Sequence, residues 1–172
     1  LDFILNELAG GSSTGKKIKA VIPGGASAPV FTEKEFSTPM DFDSVRNAGS
    51  MAGSGGIIVM DEDTCMVQAC LRLIRFYAHE SCAQCTPCRQ GCNWMDMILH
   101  RIEHGEGTME DLDVLTSLTP RIAGRTLCAL GDAACGPMES MLKKFRHEFE
   151  HHITHKTCYV KGPRLLAEVG HH

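Results

Sequence analysis

Three cysteines, Cys82, Cys85 and Cys88, stand at Cys-x-x-Cys-x-x-Cys spacing within Glu80-Ser81-Cys82-Ala83-Gln84-Cys85-Thr86-Pro87-Cys88-Arg89. Thiols separated by two residues reach a common centre when the backbone curls around it, which is the arrangement of an iron–sulfur or a zinc site. A [4Fe–4S] cluster takes one thiolate on each iron, so a fourth ligand must come from elsewhere in the chain. Cys128, in Leu127-Cys128-Ala129-Leu130-Gly131, is the leading candidate because a loop ahead of a helix lets a thiolate project. Cys135, expected in the first turn of that helix, ranks behind it and stays open. Cys92, one helical turn beyond Cys88, reads as packing, and Cys158 in the tail ranks last.

Thr86-Pro87 stiffens the turn and starts a helix near the third thiol, whose unpaired N–H groups can point at the sulfurs. Arg89, Arg121 and Arg125 can offset the negative charge of a cluster. Zinc fits the triple spacing less well, since structural zinc sites favour paired Cys-x-x-Cys units. His147, His151 and His155 share a helix face at four-residue spacing and could clip a metal, but a solvated face near a helix C-terminus explains them as well. His79 reads as a helix C-terminal residue.

The elements that position these residues fall into two compositional halves. Leu1 to Ala9 reads as a helix end with Phe3, Ile4 and Leu8 on one face, stopped by Gly10-Gly11. Gly10, Gly15 and Lys16 imitate a phosphate-binding loop, yet Lys17 stands where that motif needs Ser or Thr, and the element order is reversed. Ile18–Ile22 reads as a strand, Ala28–Thr32 as a second short one, and Ile57–Met60 as a buried strand. Asp43 is expected to cap a short helix over Ser44–Asn47, and a flexible Gly/Ser loop over Gly49–Gly56 follows. This is an α+β unit too small to be stable without neighbours.

From Asp61 onward the periodicity is helical. Asp63 or Thr64 caps a helix to His79 with Val67, Leu71, Ile74 and Tyr77 or Ala78 inside, and Cys65 and Cys70 read as small buried hydrophobes. A helix over Pro87–Glu103 carries a stripe of Trp94, Met97, Ile98 and Ile102. Thr108 with Asp111 opens the next, which Pro120 closes or kinks. A last long helix runs from Ala134 to His152, with Pro137 in its first turn. Asp61 to Ile153 thus reads as a four-helix bundle with its cysteine loops at one end. After Ile153 the periodicity is lost. Thr157–Val160 could be strand-like, and Leu165-Leu166 could dock.

The totals exclude several classes. The chain has 172 residues, 17 basic against 21 acidic, and a net charge of −4, so it carries no basic nucleic-acid footprint. Apolar runs are too short to span a bilayer, and the N-terminal residues do not read as a signal peptide. The nine clustered cysteines favour metal-bound thiolates in a reducing compartment over a disulfide framework. A chain beginning at Leu1 is expected to be a piece of a longer or processed polypeptide.

The cysteine motif, together with Thr126-Leu127-Cys128-Ala129-Leu130-Gly131-Asp132, closely resembles the NADH-oxidising flavoprotein (F) subunit of respiratory complex I, NADH:quinone oxidoreductase. Val21-Ile22-Pro23-Gly24-Gly25-Ala26-Ser27, Met40-Asp41-Phe42-Asp43 and Gly55-Gly56-Ile57-Ile58-Val59-Met60-Asp61 resemble that subunit's soluble-ligand-binding β-grasp (SLBB) domain. The resemblance covers about Leu1 to Ile153. It implies the end of an FMN/NADH domain over 1–16, an SLBB domain over 17–62, a helical [4Fe–4S] domain over 63–153 and a tail over 154–172. It further implies Cys82, Cys85, Cys88 and Cys128 as ligands of a cluster that relays electrons from FMN towards quinone. FMN and NADH themselves would bind only in the full-length subunit. Implied partners are other subunits of the peripheral arm, notably the small 2Fe–2S subunit and the large iron–sulfur subunit. The implied location is peripheral, on the cytoplasmic face of the bacterial inner membrane or the mitochondrial matrix side. Ala83 replaces a usual glycine, and Cys92 and Cys135 stand where the family normally has no thiol. The diaphorase subunits of NAD-reducing hydrogenases and formate dehydrogenases share these motifs, and a zinc-stabilised interaction module is the alternative of a different class.

Overall fold

The computed structural model describes residues 1–160, which divide into two compact units at Asp63/Thr64; Leu165-Leu166 lies outside the described residues. The whole is mixed α/β, with one small antiparallel sheet and several helices.

The first unit is built on β1 (Ile18–Ile22), flanked by β2 (Phe31–Thr32) and β3 (Ile58–Asp61) in the order β2-β1-β3. Both pairings are antiparallel, with Val21 opposite Phe31 on one side and Val59 on the other, and a bulge lies between Ile18 and Ala20. Ile18, Val21, Phe31, Phe36 and Val45 form its core together with Leu1 and Leu5. The N-terminal segment departs from the expected face. A π turn over Ile4–Leu8 widens the helix, so Leu5 is buried while Phe3 and Leu8 are exposed.

Two further expectations shift in this unit. The short helix α1 is Phe42–Asn47, and its cap is Asp41, whose Oδ1 accepts from the N–H of Asp43 and of Ser44 at 3.1 and 2.9 Å. An Asx side chain caps N–H groups two and three residues on, which places Asp43 inside the helix. β3 lies at the sheet edge, so Ile58 and Val59 are partly exposed and only Met60 and Asp61 are buried.

The Gly/Ser loop is pinned rather than loose. A Cβ on Gly24 would fall 2.0 Å from the Met51 carbonyl oxygen, and one on Gly53 would fall 2.1 Å from that of Gly24. Only glycine allows this backbone-on-backbone crossing, which Gly25 N–H to Gly56 O at 2.7 Å closes. The phosphate-loop lookalike is likewise occupied. Ser12 and Thr14 both donate their hydroxyls to the Asp61 carboxylate, so an acid stands where a phosphate would have to approach.

The second unit consists of α2 (Met66–Glu80), α3 (Thr86–Glu103), α4 (Met109–Ile122), α5 (Leu130–Lys144) and α6 (Arg146–His155). Among the described residues five helices replace the four expected, because the last one is split. Phe145, at φ −121° and ψ 26°, caps α5 and opens α6. α5 also starts earlier than expected, at Leu130, which puts Pro137 in its interior, where no N–H is available for the Ala133 carbonyl. On α3 the buried stripe is Cys88, Cys92, Met95, Ile98, Leu99 and Ile102, while Trp94 and Met97 face outward. Gly91 sets this rotation. A Cβ there would lie 2.4 Å from Ile122 Cδ1, so α3 and α4 meet through the glycine.

The expected opening of α4 is present: the Thr108 N–H donates to Asp111 Oδ2 at 2.8 Å, and Arg101 pairs with the same carboxyl group. The expected opening of α2 is not. Neither Asp63 nor Thr64 caps it; the N-cap position is Cys65, and the Met66 N–H donates instead to Glu148 Oε2 at 3.0 Å. Glu148 is fully buried on α6. A carboxylate at a helix N-terminus meets both unpaired N–H groups and the positive end of the helix dipole. Thr157–Val160 forms bends, not a strand.

Replacing Glu148 with Ala should strip this cap and leave the Met66 N–H buried, lowering stability by about 1–3 kcal/mol. Glu148→Gln, which keeps an acceptor oxygen, should lose less. Urea midpoints of the two variants measure the difference, and equal losses would mean that the cap contributes nothing.

Candidate metal centre

The motif occupies the turn between α2 and α3. Ser81 follows the last residue of α2, Cys85 is the N-cap of α3, and Thr86, Pro87 and Cys88 make up its first turn. Proline belongs there, because its missing N–H would have had no helical partner. Cys88 is buried, Cys85 half-buried and Cys82 exposed. The turn reverses at Ala83, in the left-handed region at φ +62°, a conformation that costs a residue with a Cβ about 1 kcal/mol or more. Two bonds hold it. The Arg89 guanidinium donates to Ala83 O at 2.9 Å, and the Ala83 N–H donates to Ser81 Oγ at 3.4 Å. Arg89 is therefore a clamp on the ligand loop, and Arg125 Nε is committed to Pro120 O at 3.2 Å.

The loop from Ala123 to Ala129 brings Cys128 to the same end. Its Leu127 N–H points at Cys85 Sγ at 3.4 Å, a contact between residues 42 positions apart. The loop is fixed at both ends: the Gly124 N–H donates to Asp132 Oδ1 at 2.6 Å, and Thr126 Oγ1 donates to Cys128 O at 2.8 Å. Gly131 lets Thr126 sit against α5, since a Cβ there would lie 2.9 Å from the Thr126 hydroxyl. Ser81 Oγ lies 3.4 Å from Cys88 Sγ. The structure thus gathers Cys82, Cys85, Cys88 and the Cys128 loop at one end of the helical unit.

The other thiols are built differently. Cys92 and Cys135 are buried, and Cys135 Sγ is 3.7 Å from Thr119 O. Burial pushes each of them up to about 12, helped for Cys92 by its neighbour Cys88 and for Cys135 by Asp132. Burial alone pushes Cys70 up to about 12. These are neutral packing thiols. The histidine row is no clip either: His151 and His155 stack at 4.2 Å, and Tyr159 packs edge-on against His147 and His151. Burial, followed by the neighbouring His155 and His152, lowers the pKa of His151.

Thiols are the donors an iron–sulfur cluster takes, one on each iron. Four sulfurs around a single tetrahedral zinc ion, with Zn–S about 2.3 Å, would lie about 3.8 Å apart. Among the described residues, no three of the motif sulfurs lie within 4.8 Å of one another, so they are not spaced for one such ion.

Residues 68–152 match the family described as the NADH-ubiquinone oxidoreductase-F iron-sulfur binding region, so this unit is an iron–sulfur binding module. The chain is 52% identical over 155 residues to an NADH-quinone oxidoreductase F subunit (number 2) of Rhizobium meliloti (strain 1021), covering 90% of this chain and 37% of that protein. It is 46% identical over 154 residues to the NADH-quinone oxidoreductase F subunit of Streptomyces coelicolor, covering 90% and 34%. The chain belongs to the family of NADH-quinone oxidoreductase F subunits and spans about a third of the length of these relatives. An NAD+-reducing [NiFe]-hydrogenase in its H2-reduced state has the same fold, with a TM-score of 0.76 at 24% identity, over 87% of this chain and 26% of that one. Among the described residues no helix is long and apolar enough to cross a membrane.

Sequence reasoning missed the tertiary support of the site, namely the Leu127 N–H on Cys85 and the Arg89 clamp. It also missed His152, Glu148 and Glu103, which are buried at the opposite end of α2 and α3. A signal existed: Glu148 and His152 fall at helical spacing from Phe145 and Phe149 on the inner stripe.

In protein stripped of metal, iodoacetamide at mildly alkaline pH should label Cys82 and Cys128 first, and Cys70, Cys92 and Cys135 only on unfolding. Peptide mass spectrometry over a time course reads the order, and early labelling of Cys92 or Cys135 would contradict the packing role.

Proposed function

We propose that this chain is the electron-relay part of the NADH-oxidising subunit of an NADH:quinone oxidoreductase, with Cys82, Cys85, Cys88 and Cys128 as the ligands of a [4Fe–4S] cluster. The observation that carries the assignment is the contact from the Leu127 N–H to Cys85 Sγ, which sets the Cys128 loop against the triple-cysteine turn. When bound, the cluster supplies one-electron transfer between a flavin and the next carrier.

The chain's own residues then have definable tasks. The four thiolates hold the irons. The first turn of α3, the Leu127 N–H and the Ser81 hydroxyl direct partial positive charge at the sulfurs and so favour the extra electron. Ala83, Arg89 and Asp132 keep the two ligand loops in register. Exposed Cys82, Leu127 and Cys128 mark the side from which a redox partner can approach.

In this reading the region 17–62 is an SLBB β-grasp unit and 63–153 the cluster-bearing helical bundle, with 154–172 as a tail. Residues 1–16 are read as the end of the FMN/NADH domain of the full-length subunit. The small 2Fe–2S and large iron–sulfur subunits of the peripheral arm are the proposed neighbours, at the cytoplasmic face of the membrane in bacteria or the matrix side in mitochondria. A diaphorase subunit of an NAD-reducing hydrogenase would carry the same module; the identities to the quinone-linked relatives favour the quinone-linked enzyme.

Anaerobically purified protein should be brown, with iron and sulfide in near-equal amounts. Cys128→Ala should lose the cluster, while Cys92→Ala and Cys135→Ala should keep it, as read by iron content and visible absorption. Retention in Cys128→Ala with loss in Cys135→Ala would overturn the ligand set. Ser81→Ala, which removes a donor to Cys88, should keep the iron but lower the reduction potential.

A further inference from the structure

At the other end of α2 the described residues contain a second set of ligand-type atoms. Cys65 Sγ, a ring nitrogen of His152 and Cys158 Sγ all lie within 4.8 Å of one another. Glu103 Oε2 lies 3.3 Å from His152 Nε2, beside this set of three. We propose that Cys65, Cys158 and His152 form a second, separate metal site that takes a zinc ion, with the neighbouring Glu103 carboxylate as the fourth ligand once the ion draws it in.

Two of the edges match one small tetrahedral ion. With zinc–sulfur about 2.3 Å and zinc–nitrogen about 2.05 Å, the sulfur–nitrogen edge of a tetrahedron is about 3.5 Å and the nitrogen–oxygen edge about 3.4 Å. The observed Cys65 Sγ to His152 Nε2 distance is 3.6 Å and the His152 Nε2 to Glu103 Oε2 distance is 3.3 Å. Two thiolates, an imidazole and a carboxylate suit a borderline-soft ion such as zinc and discriminate against magnesium or calcium.

The orientation of His152 suits a ligand. Its Nδ1 lies 2.9 Å from the Glu148 carbonyl oxygen, which leaves Nε2 directed at Cys65 and Glu103. A metal-bound histidine characteristically donates its remote N–H to a backbone carbonyl, as this one does. Glu103 is oriented in the same manner, its Oε1 accepting from Gln68 Nε2 at 2.6 Å. Cys65 is 4% exposed and His152 1%, while Cys158 is half-buried.

The ligands come from four places in the fold: the N-cap of α2, the last residue of α3, the inner face of α6 and the segment after α6. Lys156 at φ +54° turns the chain back after α6, and its Cβ packs where Gly105 lacks one. Cys158 follows two residues on. The fifteen residues of α2 separate this site from the cysteine motif by about 20 Å. Zinc here would clip the segment after α6 to the end of the helical unit, with no share in electron transfer.

The test counts iron and zinc separately in anaerobically purified, cluster-loaded chain. One zinc per chain is expected beyond the iron, and cobalt(II) taken up in its place should show thiolate charge-transfer and intense tetrahedral ligand-field bands. Cys158→Ser should lose zinc and those bands while keeping iron content and helical circular dichroism. Glu103→Gln should keep the charge-transfer band with altered ligand-field bands. Cluster-loaded protein that takes up no zinc, or a Cys158→Ser variant with undiminished zinc, would overturn the proposal. Because the metals are counted independently, failure here leaves the ligand set of the cysteine motif to its own test.

Discussion

The metal end of this molecule depends on holding one sulfur, that of Cys85, between the start of α3 and the backbone N–H of Leu127. Two ligand segments remote in sequence must meet at a fixed spacing, and neither is long enough to hold itself. The turn of Ala83 is held by Arg89 and Ser81, and the Cys128 loop by Asp132 and Thr126. Behind them α3 and α4 close up through Gly91, and the Cys128 loop lies on α5 through Gly131. The small residues thus matter as much to the site as the cysteines, because they determine how near the two loops can come.

Much of this was legible in the sequence where the signal is local. β1, the capping box of Thr108 and Asp111, the α2 stripe and the triple-cysteine turn all depend on residues within a few positions of one another, and the chain forms them as their patterns imply. The misses share a physical cause. The α2 cap comes from Glu148, 82 residues away, which no local rule can find. The stripe on α3 is rotated because Gly91, with no side chain, decides which face meets α4. The last helix breaks at Phe145, at φ −121° and ψ 26°, although Phe145 and Phe149 would share a face of an unbroken helix, so the break leaves no mark on the apolar pattern. Cys65 and Cys158 looked inert in sequence, and only the turn at Lys156 brings them beside His152.

The helical unit therefore has two chemically distinct ends joined by the α2–α3 hairpin. At one, Cys82 and Cys128 are exposed, Cys85 half-buried and Cys88 buried, the set proposed for the cluster. At the other, Cys65, His152 and the Glu103 side chain are buried and Cys158 is half-buried, the set proposed for a single structural ion. The packing thiols between them, Cys70, Cys92 and Cys135, are kept neutral by burial. That separation allows nine cysteines in one chain to serve different ends.

The central claim is that the cysteine motif and the Cys128 loop hold a one-electron carrier. A redox titration of the anaerobic, cluster-loaded chain, followed by low-temperature EPR, tests it most directly. The account predicts an EPR-silent oxidised protein, and on reduction a spin-half signal integrating to one spin per chain and rising along a one-electron Nernst curve. A chain that binds metal at these cysteines yet shows no such signal at any accessible potential would contradict it.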